Sequence, residues 1–310
     1  MLLDVDLNLL RSLHALLEAG SVTGAARSLG ITQAAASNAL RRLREHFGDE
    51  LLVRSGASLC PTPLAERLRP KVAEAMAAAT KVLGEPTPFV PAEATATLCV
   101  ATSDHVETLV LEPLVAQLAR LAPGVSLMVE PFSPSSIARA QAGQVDLVLA
   151  PRAHMREGLR VTRVLEEPYA VIARRQNPAL EGSRTAMSLH CFTALEHVVV
   201  APSGEGLRTT GTDRALAALG RTRTVARLVP SFSQGLLLVS TSDRLAIVPR
   251  SFAMRFAGRL RLAVLEAPIT IEPCRIDAGW SERLHDDPLH AWFRQQVVEI
   301  ARRELERALA

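Results

Sequence analysis

The spacing of apolar positions changes along the chain, and each change predicts a different element. In residues 7–18, LNLLRSLHALLE, the leucines Leu9, Leu10, Leu13, Leu16 and Leu17 share one helical face, with Asp6 placed as N-cap and Gly20 as stop. In SVTGAARSLG, Ser21 can cap a second helix whose Val22, Ala25, Ala26 and Leu29 share a face, and Gly30 suits the left-handed turn that ends it. Thr32 caps a third helix, in which Ala36, Ala39, Leu40, Leu43 and Phe47 cluster on one side. Two short helices joined by a glycine turn form a helix-turn-helix, and small Ala25 and Ala26 permit close helix approach. Leu51–Val53 and Ala57–Cys60 then read as two short strands around RSGA, a hairpin or wing.

Residues 62–83 predict one long helix. Thr62 caps it, Pro63 takes the first helical position, and Leu64, Leu68, Val72, Ala75, Ala79 and Val82 form a stripe at near-heptad spacing. About twenty residues give ~30 Å of helix, which Pro70 should bend. GEPTPFVPAE reads as a hinge. From residue 95 the pattern becomes strand, helix, strand: TATLCVAT, a helical stretch over 106–124, VSLMVEP, SSIARAQAG and VDLVLA. A second set follows, from PYAVIARR to RLAIVP, and the chain closes with a strand near 269–279 and a helix from about 287. Strands alternating with helices imply parallel sheets, and two such sets joined by crossovers imply two α/β lobes with a cleft between them.

The third helix carries the first candidate chemistry. Successive residues advance ~100° around a helix, so Ala34, Ser37, Asn38, Arg41, Arg42 and Glu45 face away from the apolar side. The face is small at its N-terminal end, offers Ser and Asn for base edges, and ends in Arg for phosphates. The candidate DNA contacts are Thr32, Gln33, Ala34, Ser37, Asn38, Arg41 and Arg42, with Arg54 reaching out from the wing. A solvated amphipathic face is the alternative, and the capped helix and tight turn before it favour DNA.

Composition narrows the class. The 310 residues suffice for two or three domains, and 48% hydrophobic with 22% charged residues is a globular balance. No apolar run approaches the ~18 residues of a membrane span, and Asp4 and Asp6 stand where a signal peptide carries basic residues. A cytoplasmic protein with no membrane partner is expected. The net charge of +3 is small, and 33 of the 35 basic residues are arginine, only Lys71 and Lys81 being lysine. Cys60, Cys99, Cys191 and Cys274 lie far apart with no C-x-x-C, so free thiols are expected and neither a metal site nor a cofactor is. There is no G-x-S-x-G, H-E-x-x-H or G-x-x-x-x-G-K-[ST]. The carboxylate pairs Glu166–Glu167 and Asp286–Asp287 are adjacent, so their side chains point apart, and no enzymatic activity is expected.

The run DLNLLRSLHALLEAGSVTGAARSLGITQAAASNALRRLREHFGDELLVR…PTP closely resembles the winged helix-turn-helix of LysR-type transcriptional regulators over about sixty-five residues. One departure is visible: the family carries Pro after the Gln and Val two residues later, where this chain has Ala34 and Ala36. TSDHVETLVLEPL, EHVVV, VPSF, STSDRLAIVPRSFA and DDPLHAWFR resemble the nodulation-regulator and aromatic-degradation branch of the same family. The resemblance implies an α/β chain: an N-terminal winged helix-turn-helix (1–62), a long linker helix with hinge (63–92) and a two-lobed, periplasmic-binding-protein-like effector domain (93–310). It implies an antiparallel dimer through the linker, packing of that helix on the chain's own effector domain being the alternative. The function implied is a sequence-specific regulator of transcription on double-stranded DNA, working as a dimer or tetramer under a small organic effector. A regulator with a vestigial pocket and a cytoplasmic small-molecule-binding protein are the alternatives.

In open α/β sheets, ligands sit beyond the C-terminal strand ends. The first strand runs into Thr102, Ser103, Asp104 and His105, the second ends at Phe132 and Ser133, and the third at Pro151 and Arg152. The other lobe offers Ser203 with Gly204, and Ser231 with Phe232. The candidate effector contacts are thus Thr102, Ser103, His105, Phe132, Ser133, Arg152, Ser203, Ser231 and Phe232. Hydroxyls, aromatics and a cation together suit a small aromatic acid or phenol. For the serines, simple helix capping is the alternative.

Overall fold

Glycines in the left-handed region close all three N-terminal helices, α1 (Leu7–Ala19), α2 (Val22–Leu29) and α3 (Gln33–Phe47), at Gly20, Gly30 and Gly48. Asp6, Ser21 and Thr32 cap their N-termini through the side chain. The computed structural model describes residues 6–55, 58–83, 88–155, 158–180, 186–202 and 210–310. The chain divides into two compact units, Met1–Pro88 and Phe89–Ala310.

In the first unit, Leu9, Leu13, Leu16 and Leu17 of α1 pack with Ala25 of α2 and with Leu40 and Leu43 of α3. The wing is the antiparallel pair β1 (Leu52–Ser55) and β2 (Ser58–Pro61). Leu51, read from sequence as the first strand residue, instead adopts φ 58° with its side chain buried. Burial of the leucine in the core offsets a backbone conformation that non-glycine residues rarely adopt. Gly56 and Ala57 of the wing turn lie outside the described residues.

The linker helix α4 (Pro63–Leu83) runs through Pro70. Its stripe is split between two environments. Ala65 and Val72 are buried in the core of the first unit, with Leu68 and Met76 packed partly against it. Val82 and Leu83, 81% and 85% exposed, have no such cover. The first half of the stripe is therefore consumed by the chain's own helices.

The second unit holds β3 (Ala96–Thr102), α5 (Asp104–Val106), a π-helical turn Glu107–Leu111, α6 (Glu112–Leu121), β4 (Val125–Pro131), α7 (Pro134–Gln141), β5 (Leu147–Ala150) and β6 (Leu159–Glu167). Then come β7 (Tyr169–Arg174), α8 (Leu189–Ala194), β8 (Glu196–Val200), α9 (Gly211–Ala218), β9 (Thr224–Val229), α10 (Phe232–Ser240), β10 (Leu245–Pro249) and α11 (Arg250–Ala257). Last are β11 (Leu262–Leu265), β12 (Cys274–Ser281) and α12 (Pro288–Leu309). The π turn interrupts the single helix expected over 106–124, because Pro113 has no N–H to donate back into the ladder.

Two five-stranded sheets form the lobes, ordered β4-β3-β5-β12-β6 and β11-β7-β10-β8-β9. Neither is purely parallel, as the alternation had suggested. β12 runs antiparallel to β5 and β6, and β7 antiparallel to β10 and β11. The antiparallel strands carry the chain between lobes: β6 of the first passes through Pro168 into β7 of the second, and β11 returns to β12. The first lobe's core is covered by α12, through Phe293, Val297 and Ile300.

In the second lobe, His197 of β8 is fully buried, with its Nε2 2.8 Å from the Phe192 carbonyl and its ring edge-on to Phe192. Burial, with the nearby Arg223 guanidinium also opposing protonation, lowers its pKa to about 4.

These environments have measurable consequences. Val72→Asp should place an unpaired charge in the first unit's core and cost about 3–5 kcal/mol of its stability. Val82→Asp, exposed within one chain, should leave the first unit's own stability within about 0.5 kcal/mol at concentrations where the chain is monomeric. Denaturant unfolding of the two variants distinguishes a core position from a surface one. For His197, both states are neutral above pH 6.5. Below it the unfolded chain binds a proton that the folded chain refuses until about pH 4, so stability falls across that window by about 3 kcal/mol. His197→Gln should remove this part of the acid sensitivity; unfolding curves at pH 7 and pH 4.5 that differ equally in variant and parent would contradict it.

Candidate functional site

The outer face of α3 is laid bare by its own packing. Ala36, Leu40 and Leu43 are buried, whereas Thr32, Gln33, Ala34, Ser37, Asn38, Arg41 and Arg42 are exposed, as is Arg54 in β1. A helix with one such face fits a DNA major groove. The basic side chains are already engaged. Arg41 donates to Glu45 at 2.6 Å and to Asn38 Oδ1 at 2.7 Å, and Arg42 donates to Asp6 at 3.2 Å. Exposed pairs of this kind are worth up to about 1 kcal/mol, so phosphates can displace them.

Two residues that sequence reasoning passed over hold this surface in shape. Arg44 donates through Nε to the Glu50 carbonyl and through Nη2 to the Leu52 carbonyl, both at 2.9 Å, which ties α3 to the base of the wing. Asp49 Oδ1 accepts from the Thr62 hydroxyl at 2.6 Å and the Leu51 N–H at 2.7 Å. These bonds hold the Asp49 carboxyl below the usual carboxylate range. Thr62 Oγ1 in turn accepts from Ala65 N–H at the start of α4. No local signal marks Arg44, whose carbonyl partners come from the wing base, and Asp49 is fixed as much by Thr62 as by its local bond to Leu51.

In the second unit a cavity of about 490 Å³ opens between the lobes. Of the residues proposed from sequence, Ser103, His105, Phe132, Arg152 and Phe232 line it. Thr102, Ser133 and Ser231 are not among its lining residues. Thr102 is buried and its hydroxyl donates to the Leu149 carbonyl at 3.0 Å. The Ser133 hydroxyl lies 2.8 Å from that of Ser135 at the start of α7, and Ser231 caps α10 by accepting from Gln234 N–H. For these three the local structural role prevails. Ser203 and Gly204 lie outside the described residues. Ser103 differs from Ser231: it is N-cap to α5 but makes no side-chain capping bond.

The walls are mostly uncharged. Leu149, Ala150, Tyr169, Val198, Val199, Ile247 and Ile276 contribute, and the Phe132 ring stands 5.2 Å from that of His154. Burial raises the Cys274 thiol to about 12 and the Tyr169 phenol well above its ordinary value, which keeps both neutral at physiological pH. Positive charge comes from Arg152, Arg214, Arg223 and Arg275. Arg223 is buried and fixed: Nε donates to Asp213 at 2.8 Å and Nη2 to Thr210 at 3.1 Å. Arg152 is largely exposed, with Asp277 3.7 Å away.

Comparison with known proteins follows the same division. Residues 7–66 match the family described as bacterial regulatory helix-turn-helix protein, lysR family, and residues 91–302 match the LysR substrate binding domain. The HTH-type transcriptional regulator SyrM of Rhizobium meliloti is 31% identical over 300 residues, spanning 97% of this chain and 90% of that protein. Nodulation protein D 1 of Sinorhizobium fredii is 32% identical over 300 residues, spanning 96% and 92%. The crystal structure of the probable transcriptional regulator PA0477 from Pseudomonas aeruginosa superposes with a TM-score of 0.59 at 34% identity, over 96% of this chain and 97% of that one. With a winged helix-turn-helix followed by a two-lobed effector-binding domain, the chain belongs to the LysR family of bacterial DNA-binding transcriptional regulators.

Proposed function

We propose that residues 1–62 read an operator through α3, that residues 63–92 join copies of the chain, and that residues 93–310 sense a small aromatic acid or phenol in the inter-lobe cavity. In this reading Ser37 and Asn38 contact bases, Thr32, Gln33 and Ala34 bring the helix start against the groove, and Arg41, Arg42 and Arg54 hold phosphates. The exposed face supports it. The uncovered end of α4 at Val82 and Leu83 favours self-association there, as a dimer or tetramer. The protein acts by binding rather than by catalysis, and does so in the cytoplasm.

The observation that carries the effector class is the mixture in the cavity wall. Aromatic rings at Phe132 and Phe232 face the same space as the Ser103 hydroxyl, which has no capping duty, and as the Arg152 and Arg223 guanidiniums. Rings favour a planar apolar body, the hydroxyl a polar substituent, and the cations a carboxylate or phenolate. Ser103, His105, Phe132, Arg152 and Phe232 are the assigned contacts.

On the DNA side, Asn38→Ala should relax base preference, a single base contact being worth ~1–3 kcal/mol. Arg54→Ala should weaken all sequences alike and lower the salt slope of binding by about one. In vivo footprinting supplies the operator; an unchanged sequence logo for Asn38→Ala together with an unchanged salt slope for Arg54→Ala would refute the assignment.

On the ligand side, a thermal-shift screen of aromatic acids and phenols should yield a binder, which at 100 times its dissociation constant adds about 2.7 kcal/mol of stability. Ser103→Ala should weaken that binder by about 1 kcal/mol while operator binding without it is unchanged. If the Ser103→Ala and Phe232→Ala variants both bind it as the parent does, the compound sits elsewhere.

A further inference from the structure

Two carboxylates of the first lobe are engaged in the second. Asp104 accepts from the N–H of Phe232 at 3.1 Å, and from the N–H and hydroxyl of Ser233, each at 2.7 Å, so a first-lobe carboxylate caps α10. Glu167, the last residue of β6, does the same for α11: it accepts from the Ser251 N–H at 2.7 Å and hydroxyl at 2.8 Å. Arg250 N–H donates to the carbonyl of Pro168. His105 joins the two caps, being next to Asp104 in the chain and 2.8 Å through Nε2 from Glu167 Oε1. His105, Glu167 and Ser251 are each at most 1% exposed. Nδ1 of His105 is buried without a partner. The ring lies edge-on to Phe232, the first residue of α10, and to Phe252 in α11.

We infer that Asp104 and Glu167, coupled through His105, form one latch between the lobes, and that it links occupancy of the cavity to the lobe arrangement. A helix N-terminus carries unpaired N–H groups and partial positive charge, so each carboxylate is held by both hydrogen bonds and the dipole. Glu167 and Ser251 are buried, where such bonds are expensive to leave unmade, whereas Asp104 is half-buried and Ser233 exposed. Opening the lobes would strip five N–H and O–H donors on α10 and α11 of their acceptors within one small volume, so the two caps give way together. His105 and Phe232 belong at once to the latch and to the cavity lining. Given the ligand reading above, an occupant of the cavity presses on the latch itself, and Asp104, His105 and Glu167 are positioning residues for the response.

The test needs no ligand, so its outcome is independent of the effector class. Amide hydrogen exchange is measured on the full chain at Phe232, Ser233 and Ser251, with Val100 of β3 as a core reference. Asp104→Ala should accelerate Phe232 and Ser233 about tenfold or more, the scale of one charge-assisted hydrogen bond. Ser251, capped by a different carboxylate, should accelerate with them while Val100 does not. Glu167→Gln should show the reciprocal effect at Phe232 and Ser233, since coupling between sites is mutual, and Asp104→Asn, which keeps one acceptor, should fall between Asp104→Ala and the parent. Acceleration confined to the helix whose own cap was changed, or an equal acceleration at Val100, would overturn the latch.

Discussion

A chain that crosses twice between lobes must satisfy the helix ends it brings together at the crossing. Here α10 and α11 of the second lobe point their first N–H groups at the first lobe, and Asp104 and Glu167 accept them. The inter-lobe cavity depends on this junction. Ser103 and His105 flank Asp104 in sequence and line the cavity, and Phe232 lines it from the capped end of α10. The positions that bound the cavity are thereby fixed by backbone-directed hydrogen bonds rather than by apolar packing alone.

The DNA-binding unit solves a similar problem with a relay of polar contacts at its rim. Asp49 accepts from the wing base at Leu51 and from Thr62, and Thr62 starts the linker helix by capping Ala65. Arg44 fastens the wing to α3 through two carbonyls. The wing and the linker are thus oriented from α3 outward, and the exposed arginines are left to weak surface pairs. The early burial of Ala65 and Val72 against α1 belongs to the same arrangement: it anchors α4 to the first unit and leaves its far end uncovered.

Much of this was legible in the sequence. The leucines of α1, the alanines of α2 and the alternating face of α3 obey a 3.6-residue period, which is local and independent of what they pack against. The caps Asp6, Ser21 and Thr32 and the glycines that end each helix were readable for the same reason. The strand-and-helix order of the second unit was readable as well, because runs such as VSLMVEP match Val125–Pro131 residue for residue. Serine positions at strand ends were not separable: Ser103, Ser133 and Ser231 look alike in sequence, and only the contacts of their hydroxyls distinguish a cap from a cavity wall.

What the sequence by itself determined is therefore most of the elements (β6, α8, α11 and β11 were not read), the family and the outward face of α3, since each follows from periodicity, capping and motif spacing along the chain. What only the tertiary structure decided is pairing. β7 and β12, each antiparallel to both of its neighbours, turned sheets expected to be parallel into mixed ones, because strand direction depends on which neighbour offers its free edge. Glu166 and Glu167 are adjacent and identical in type, and alternation along β6 turns their side chains to opposite faces. One pairs with Arg163 and Arg275 in solvent, and the other is buried against His105 and Ser251. A strand's period states that the two must differ; which one is buried depends on the lobe packed against it.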